Sequence, residues 1–149
     1  MRAQRITDQR GFSLVELMVV VMIIAILIAV AVPAFIGLQR RAQDRGAQSS
    51  LRDAFTAARA FQTDEDSYAG FDALEGEEIE HTLDWADGAA NAHRQVNIEA
   101  VTATEVTLTT LSSSGQIFCM GDSSTAATGA VRGIGDADSY AACDALPDF

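Results

Sequence analysis

With 149 residues, the chain has room for one modest domain plus whatever its N-terminal segment is. Its formal net charge is −11, and beyond Arg45 only four arginines stand against 18 Asp and Glu, about −14, a balance that repels phosphate backbones and argues against direct nucleic-acid binding. All ten basic residues are arginine, which excludes a polymer cross-linked through lysine isopeptide bonds.

In chain order, a short basic leader, MRAQRITDQRG, precedes the stretch FSLVE and then an uncharged run of 22 residues from Leu17 to Leu38. As a helix that run reaches roughly 33 Å, enough for a hydrocarbon core of about 30 Å. A secretory signal would carry a shorter apolar region and a small-residue cleavage site. Here the run continues into Pro33 and a polar helical stretch, so it reads as a retained anchor. Arg2, Arg5 and Arg10 nearly balance Arg40, Arg41 and Arg45, so charge gives only a slight preference for a cytoplasmic N-terminus. Cys119 and Cys143 both lie far from the anchor, in a small head that a disulfide would help in an oxidising compartment, which also favours the head outside.

Pro33 predicts a kink or local melting of the helix, assisted by Gly37, because proline removes a backbone hydrogen bond and crowds the preceding turn. Past it, Leu51, Ala54, Phe55, Ala58 and Phe61 recur at helical steps, so one helix runs from the apolar segment into an amphipathic half over 39–62. Thr63 to Gly70 reads as a loop. Alternation then predicts strands at Ile79 to Trp85, closed by an Asp87-Gly88 turn, and at QVNIEAV and EVTLTTL, and SSSG sets off a fourth short strand, QIFCM. Short connections suggest an antiparallel meander whose apolar face covers the Leu51/Phe55/Phe61 stripe. From Gly121 onward the chain reads as irregular, with little to bury. If Cys119 joins Cys143, the closed loop of about 25 residues gains near 3 to 4 kcal/mol by chain-entropy arithmetic and pins that tail.

Enzymatic signatures are missing: there is no phosphate loop, no CxxC and no GxSxG elbow. His81 and His93 read as a strand-face and a loop histidine rather than catalytic groups. Ten carboxylates and no Lys or Arg fall between Asp64 and Asp87, a solvated face that keeps a head soluble. Asp122, Asp136 and Asp138 lie in Gly-rich stretches that could offer oxygens to calcium, but their spacing matches no EF-hand loop. No metal or other cofactor is expected.

The leader, the sequence GFSLVE, the uncharged run and Pro33 together resemble the type IV prepilin family. The resemblance covers residues 1 to about 61 and is only general beyond. It implies that a membrane-embedded prepilin peptidase cuts after Gly11, leaving leader 1–11, and methylates the new N-terminus at Phe12. It further implies that 12–38 forms the membrane and filament-core helix, with Pro33 near a region that often unwinds in filaments. Glu16, four residues from the freed amine, would offset that amine and the helix dipole, then meet the amine of a neighbouring subunit during assembly. The expected fold is α+β: a long N-terminal helix on a small antiparallel sheet, the head occupying 63–149. The two cysteines resemble the disulfide-bounded C-terminal region of many pilins.

The leading expectation is a major pilin of a type IV pilus: held in the cytoplasmic membrane as a single-pass precursor, then polymerised non-covalently with identical subunits into an extracellular filament. Its further partners would be an inner-membrane assembly platform and a cytoplasmic ATPase. A pseudopilin of a type II secretion system shares the leader and helix, but its major form often carries calcium in place of the disulfide. A lone membrane-anchored binding protein would leave Glu16 unexplained.

Overall fold

The computed structural model describes residues 12–149, so Gly11 and the rest of the basic leader lie outside the described residues. The chain divides into two units, the first ending at Leu38 and the second running from Gln39 to Phe149.

Helix α1 covers Leu14–Glu65, 52 residues, and stays helical through Pro33 and Gly37. In the first unit every large apolar side chain of α1 is exposed. The helix is long and apolar enough to cross a membrane, with a mean hydropathy of 3.2 over its most apolar 18-residue window and none of that window buried.

In the second unit the same helix becomes amphipathic. Ala47, Leu51, Ala54, Phe55 and Ala58 recur at three- and four-residue steps and are buried against the sheet. Complete burial of a side chain such as Leu51 contributes about 1.5 to 3 kcal/mol. The helix ends where Asp66 turns left-handed at φ 54°, a conformation that Asp tolerates better than most residues.

A second helix follows, and it takes up Ile79, the first residue of the strand that alternation predicts. α2 covers Ala73–Ile79, and the Asp72 carboxylate caps it by accepting the backbone N–H groups of Leu74 and Glu75. The strand pattern therefore narrows to β1, Asp84–Asp87, and His81 lies in the turn before it rather than on a strand face. Trp85 explains the arrangement: its ring is buried, its Nε1–H donates to the Glu80 carbonyl, and Gly76 leaves room for it. A Cβ at Gly76 would stand 2.7 Å from Trp85 Cδ2.

The sheet has five strands in the order β1-β2-β3-β4-β5, with β2 Gln95–Val101, β3 Glu105–Leu111, β4 Ile117–Ser123 and β5 Val131–Ile134. The expected antiparallel meander holds for β2 through β4, and β5, which was not expected, extends it antiparallel to β4, but β1 pairs with β2 in parallel, Asp84 opposite Gln95. The link from Gly88 to Arg94 carries the chain back to the start of β2. It is held by Gly88 N–H to the Ile98 carbonyl and by Asn97 Nδ2–H to the Ala89 carbonyl.

Both faces of the sheet are covered. Val96, Ile98, Val106, Leu108, Phe118 and Met120 meet α1 in the main core. The other face carries a second cluster of Cys119, Val131, Ala137, Tyr140 and Cys143. The tail is thus far from irregular: it supplies β5 and the short helix α3, Tyr140–Asp144, capped by Ser139. Cys119 and Cys143, both fully buried, form a disulfide with a Cα–Cα distance of 6.0 Å. Gly133 accommodates this return of the chain, since a Cβ there would meet the Leu146 Cβ at 2.6 Å and the Cys143 carbonyl at 3.0 Å.

Candidate functional site

The segment expected to carry function is the start of α1. Phe12 and Ser13 precede the helix, and Phe12 is 80 % exposed. The first turn closes through Leu17 N–H to the Ser13 carbonyl at 3.2 Å. The Ser13 backbone N–H donates to Glu16 Oε2 at 3.4 Å, the reach of a third-position carboxylate back to the cap residue in a capping box. The first-turn carboxylate also faces the positive end of the helix dipole. Ser-x-x-Glu ahead of an apolar run was the available signal for this contact, which the pairing of Glu16 with a freed amine passes over. Beyond Glu16, α1 offers only apolar side chains as far as Leu38, an unpartnered surface far larger than a soluble monomer carries.

Two polar links that the sequence did not suggest tie α1 to the sheet. In the first, Arg59 donates from Nε and Nη2 to the Asp122 carboxylate at 3.0 and 2.9 Å, and the fully buried Tyr68 donates its hydroxyl to the same carboxylate at 2.5 Å. Burial pushes Asp122 up, but the hydrogen bonds from Arg59 and Tyr68 overcome it and hold the carboxyl below its ordinary range. Burial and the bond to Asp122 raise the Tyr68 phenol. In the second, Asp44 accepts from the hydroxyls of Ser112 and Ser114, fastening α1 to the β3–β4 hairpin.

The possible calcium ligands are not brought together. Asp122 lies on β4 rather than in a loop, facing α1 and occupied by Arg59 and Tyr68. Asp136 and Asp138 flank Ala137, which packs in the second cluster. Their charge adds to burial in raising the Glu99 carboxyl. Among the described residues no group of three or more His, Cys, Asp or Glu is placed to hold a metal ion. His93 belongs to the loop as expected, its Nδ1 at 3.0 Å from the Ser112 carbonyl oxygen.

Comparison with known proteins places this N-terminal segment in context. A family profile described as the prokaryotic N-terminal methylation motif matches residues 6–32. The chain is 43% identical over 72 residues to the type IV major pilin protein PilA of Myxococcus xanthus, covering 48% of this chain and 33% of that protein. It is 40% identical over 76 residues to the competence protein ComGC of Halalkalibacterium halodurans, covering 50% of this chain and 74% of that protein. It is also 39% identical over 61 residues to the type IV wide pilus major component PilA4 of Thermus thermophilus, covering 41% of this chain and 47% of that protein. The match thus spans a third of the Myxococcus protein and about half of the Thermus protein. No solved structure matches the chain. These relatives carry pilus and competence names, which does not favour a secretion pseudopilin. A methylation motif, an exposed apolar helix running on into an amphipathic half that packs on a mostly antiparallel sheet, a disulfide at the C-terminal region and relatives of this kind make the chain a member of the type IV pilin family.

Proposed function

We propose that the chain is the major structural subunit of a type IV pilus, not an enzyme. The observation that carries this reading is the first unit of α1: an apolar helix with its side chains exposed, beginning in a single capped carboxylate. Such a surface is stable in only two settings, a bilayer or a bundle of like helices. The precursor sits in the cytoplasmic membrane with its head outside and is cut between Gly11 and Phe12 by prepilin peptidase. The new N-terminus at Phe12 is methylated, and subunits then polymerise by packing Leu17 to Leu38 helix against helix. An inner-membrane platform and a cytoplasmic ATPase drive the extraction.

Glu16 has a role at both stages. In the single chain it accepts from Ser13 N–H. In the filament the freed amine of a neighbouring Phe12 is a stronger partner, because a charge-assisted bond between ions exceeds one to a neutral amide. The same carboxylate therefore sets the register between subunits. Pro33, whose nitrogen cannot donate, and Gly37 mark where α1 can open in the filament.

The test is the intact mass and N-terminal sequence of protein sheared from the cell surface. A chain beginning at methylated Phe12, two hydrogens lighter for the disulfide, is expected. A chain found only in membranes with its leader attached would overturn the reading. Glu16→Ala should permit cleavage yet lower filament yield, and wild-type yield would remove the register role.

A further inference from the structure

Within the second unit, Arg41, Arg45 and Arg52 recur along α1 at steps of four and seven, which puts them on one flank of the helix. One heptad further on, Arg59 pairs with Asp122 on β4, so this flank lies on the β4 side of the sheet. There Arg52 stands 5.9 Å from the centre of the Phe149 ring, which packs in turn on Phe118. Arg41, Arg45 and Arg52 are exposed, and among the described residues none of them makes an ion pair. Three guanidinium groups without an ion pair among the described residues thus share one strip in a strongly acidic chain.

The other flank of α1 has the opposite sign. Phe61 packs on Phe71 and Phe71 on Trp85, which carries α2 on the β1 side of the sheet. Asp72, Glu77 and Glu78 are exposed there, and no Lys or Arg occurs between Asp64 and Asp87. In their midst Leu74 is 75% exposed, an apolar centre inside a charged rim, the arrangement of a protein interface rather than of a plain solvated face. A shallow cavity lined by Asp53, Thr56, Ala57, Ala60, Ile79 and Glu80 sets the C-terminal end of α2 level with residues 53–60 of α1.

We propose that the arginine flank of α1 docks on the acidic α2 flank of a second copy of this chain, with Leu74 at the centre of the contact. The arginines centre about ten residues before the level of α2, so the two parallel subunits are displaced along the helix axis by roughly 15 Å. The two patches differ and sit on opposite flanks, so the contact is head-to-tail and propagates instead of closing into a dimer. This inference rests on the filament reading and adds to it a lateral contact between heads. Exposed charges are screened beyond about 8 Å at physiological salt, so the contact selects register more than it supplies affinity.

The experiment uses the full chain expressed in its own cells, with sheared filaments quantified and N-terminal processing followed by mass. Arg41→Glu with Arg45→Glu, and separately Glu77→Arg with Glu78→Arg, should each lower filament yield roughly tenfold by placing like charges together. The chain carrying all four changes should recover to within about threefold of wild type, because opposite charges again meet. All four side chains are exposed, so processing and the thermal midpoint of the head should match wild type in every variant. Wild-type yield from both paired reversals would overturn the contact while leaving the filament reading intact. Loss with the arginine reversal that the four-fold variant does not rescue would also overturn it, assigning that flank to another occupant such as anionic headgroups. Failure of the unmodified chain to enter filaments would instead remove the filament reading, and the contact with it.

Discussion

Asp122→Ala removes the acceptor shared by a buried phenol and a half-exposed guanidinium, and the two partners should respond differently. Tyr68 is fully buried, so its hydroxyl is left without a partner, at a cost of about 1 to 3 kcal/mol. The Arg59 side chain is 51% exposed and rehydrates, so its share is about 0 to 1 kcal/mol. The total is about 1 to 4 kcal/mol, which for a head of this size lowers the thermal midpoint on the order of 10 °C. Thermal unfolding of the full chain in detergent, followed by near-ultraviolet circular dichroism, measures it. Tyr68→Phe in the Asp122→Ala background should recover part of that loss, because it removes the hydroxyl left buried without a partner. A cost below about 0.5 kcal/mol for Asp122→Ala, or simple additivity with Tyr68→Phe, would refute the argument. The pH dependence has a definite sign. Because the folded carboxyl is depressed below its unfolded value, its stabilisation is complete above the ordinary Asp pKa of about 3.9 and is lost as pH falls through the folded value.

Three further outcomes follow from the packing. Gly76→Ala should destabilise the head by about 1 to 3 kcal/mol through its clash with Trp85, and the emission of that single tryptophan should shift as the ring moves. Glu99→Gln should stabilise the head at neutral pH, because burial and then the charge of Asp136 disfavour the Glu99 carboxylate; titrated from pH 7 downward, the advantage should fade as the wild-type group protonates. Replacing Cys119 and Cys143 together with serine should lower stability by about 2 to 5 kcal/mol, and reduction of the wild type should reproduce most of that loss in an unfolding curve.

Much of the molecule was legible from residue pattern. The uncharged run, the three- and four-residue steps from Leu51 to Phe61, and the alternation in β2 and β3 each repeat one period long enough to admit a single reading. The α+β class follows from that order of elements. Residues 72–85 misled because Ile79, His81, Leu83 and Trp85 imitate alternation while Asp72 with Glu75 three residues on marks a helix start; a seven-residue helix shows too little of its period to outweigh it. The tail misled for a different reason. β5 and α3 contain few large apolar residues, and their order comes from the disulfide and from close backbone approach at Gly133.

What the chain determined by itself is therefore local and periodic: an apolar helix of membrane-spanning length, a carboxylate at its start, an amphipathic continuation and alternating strands. What only tertiary structure decided depends on residues far apart in sequence. The parallel pairing of β1, the engagement of Asp122 by Arg59 and Tyr68, and the separation of arginine and carboxylate onto opposite flanks of α1 are examples. Periodicity tells which face of an element is apolar, but a hydrogen bond or an ion pair across 54 or 63 residues forms only once packing has chosen which faces meet.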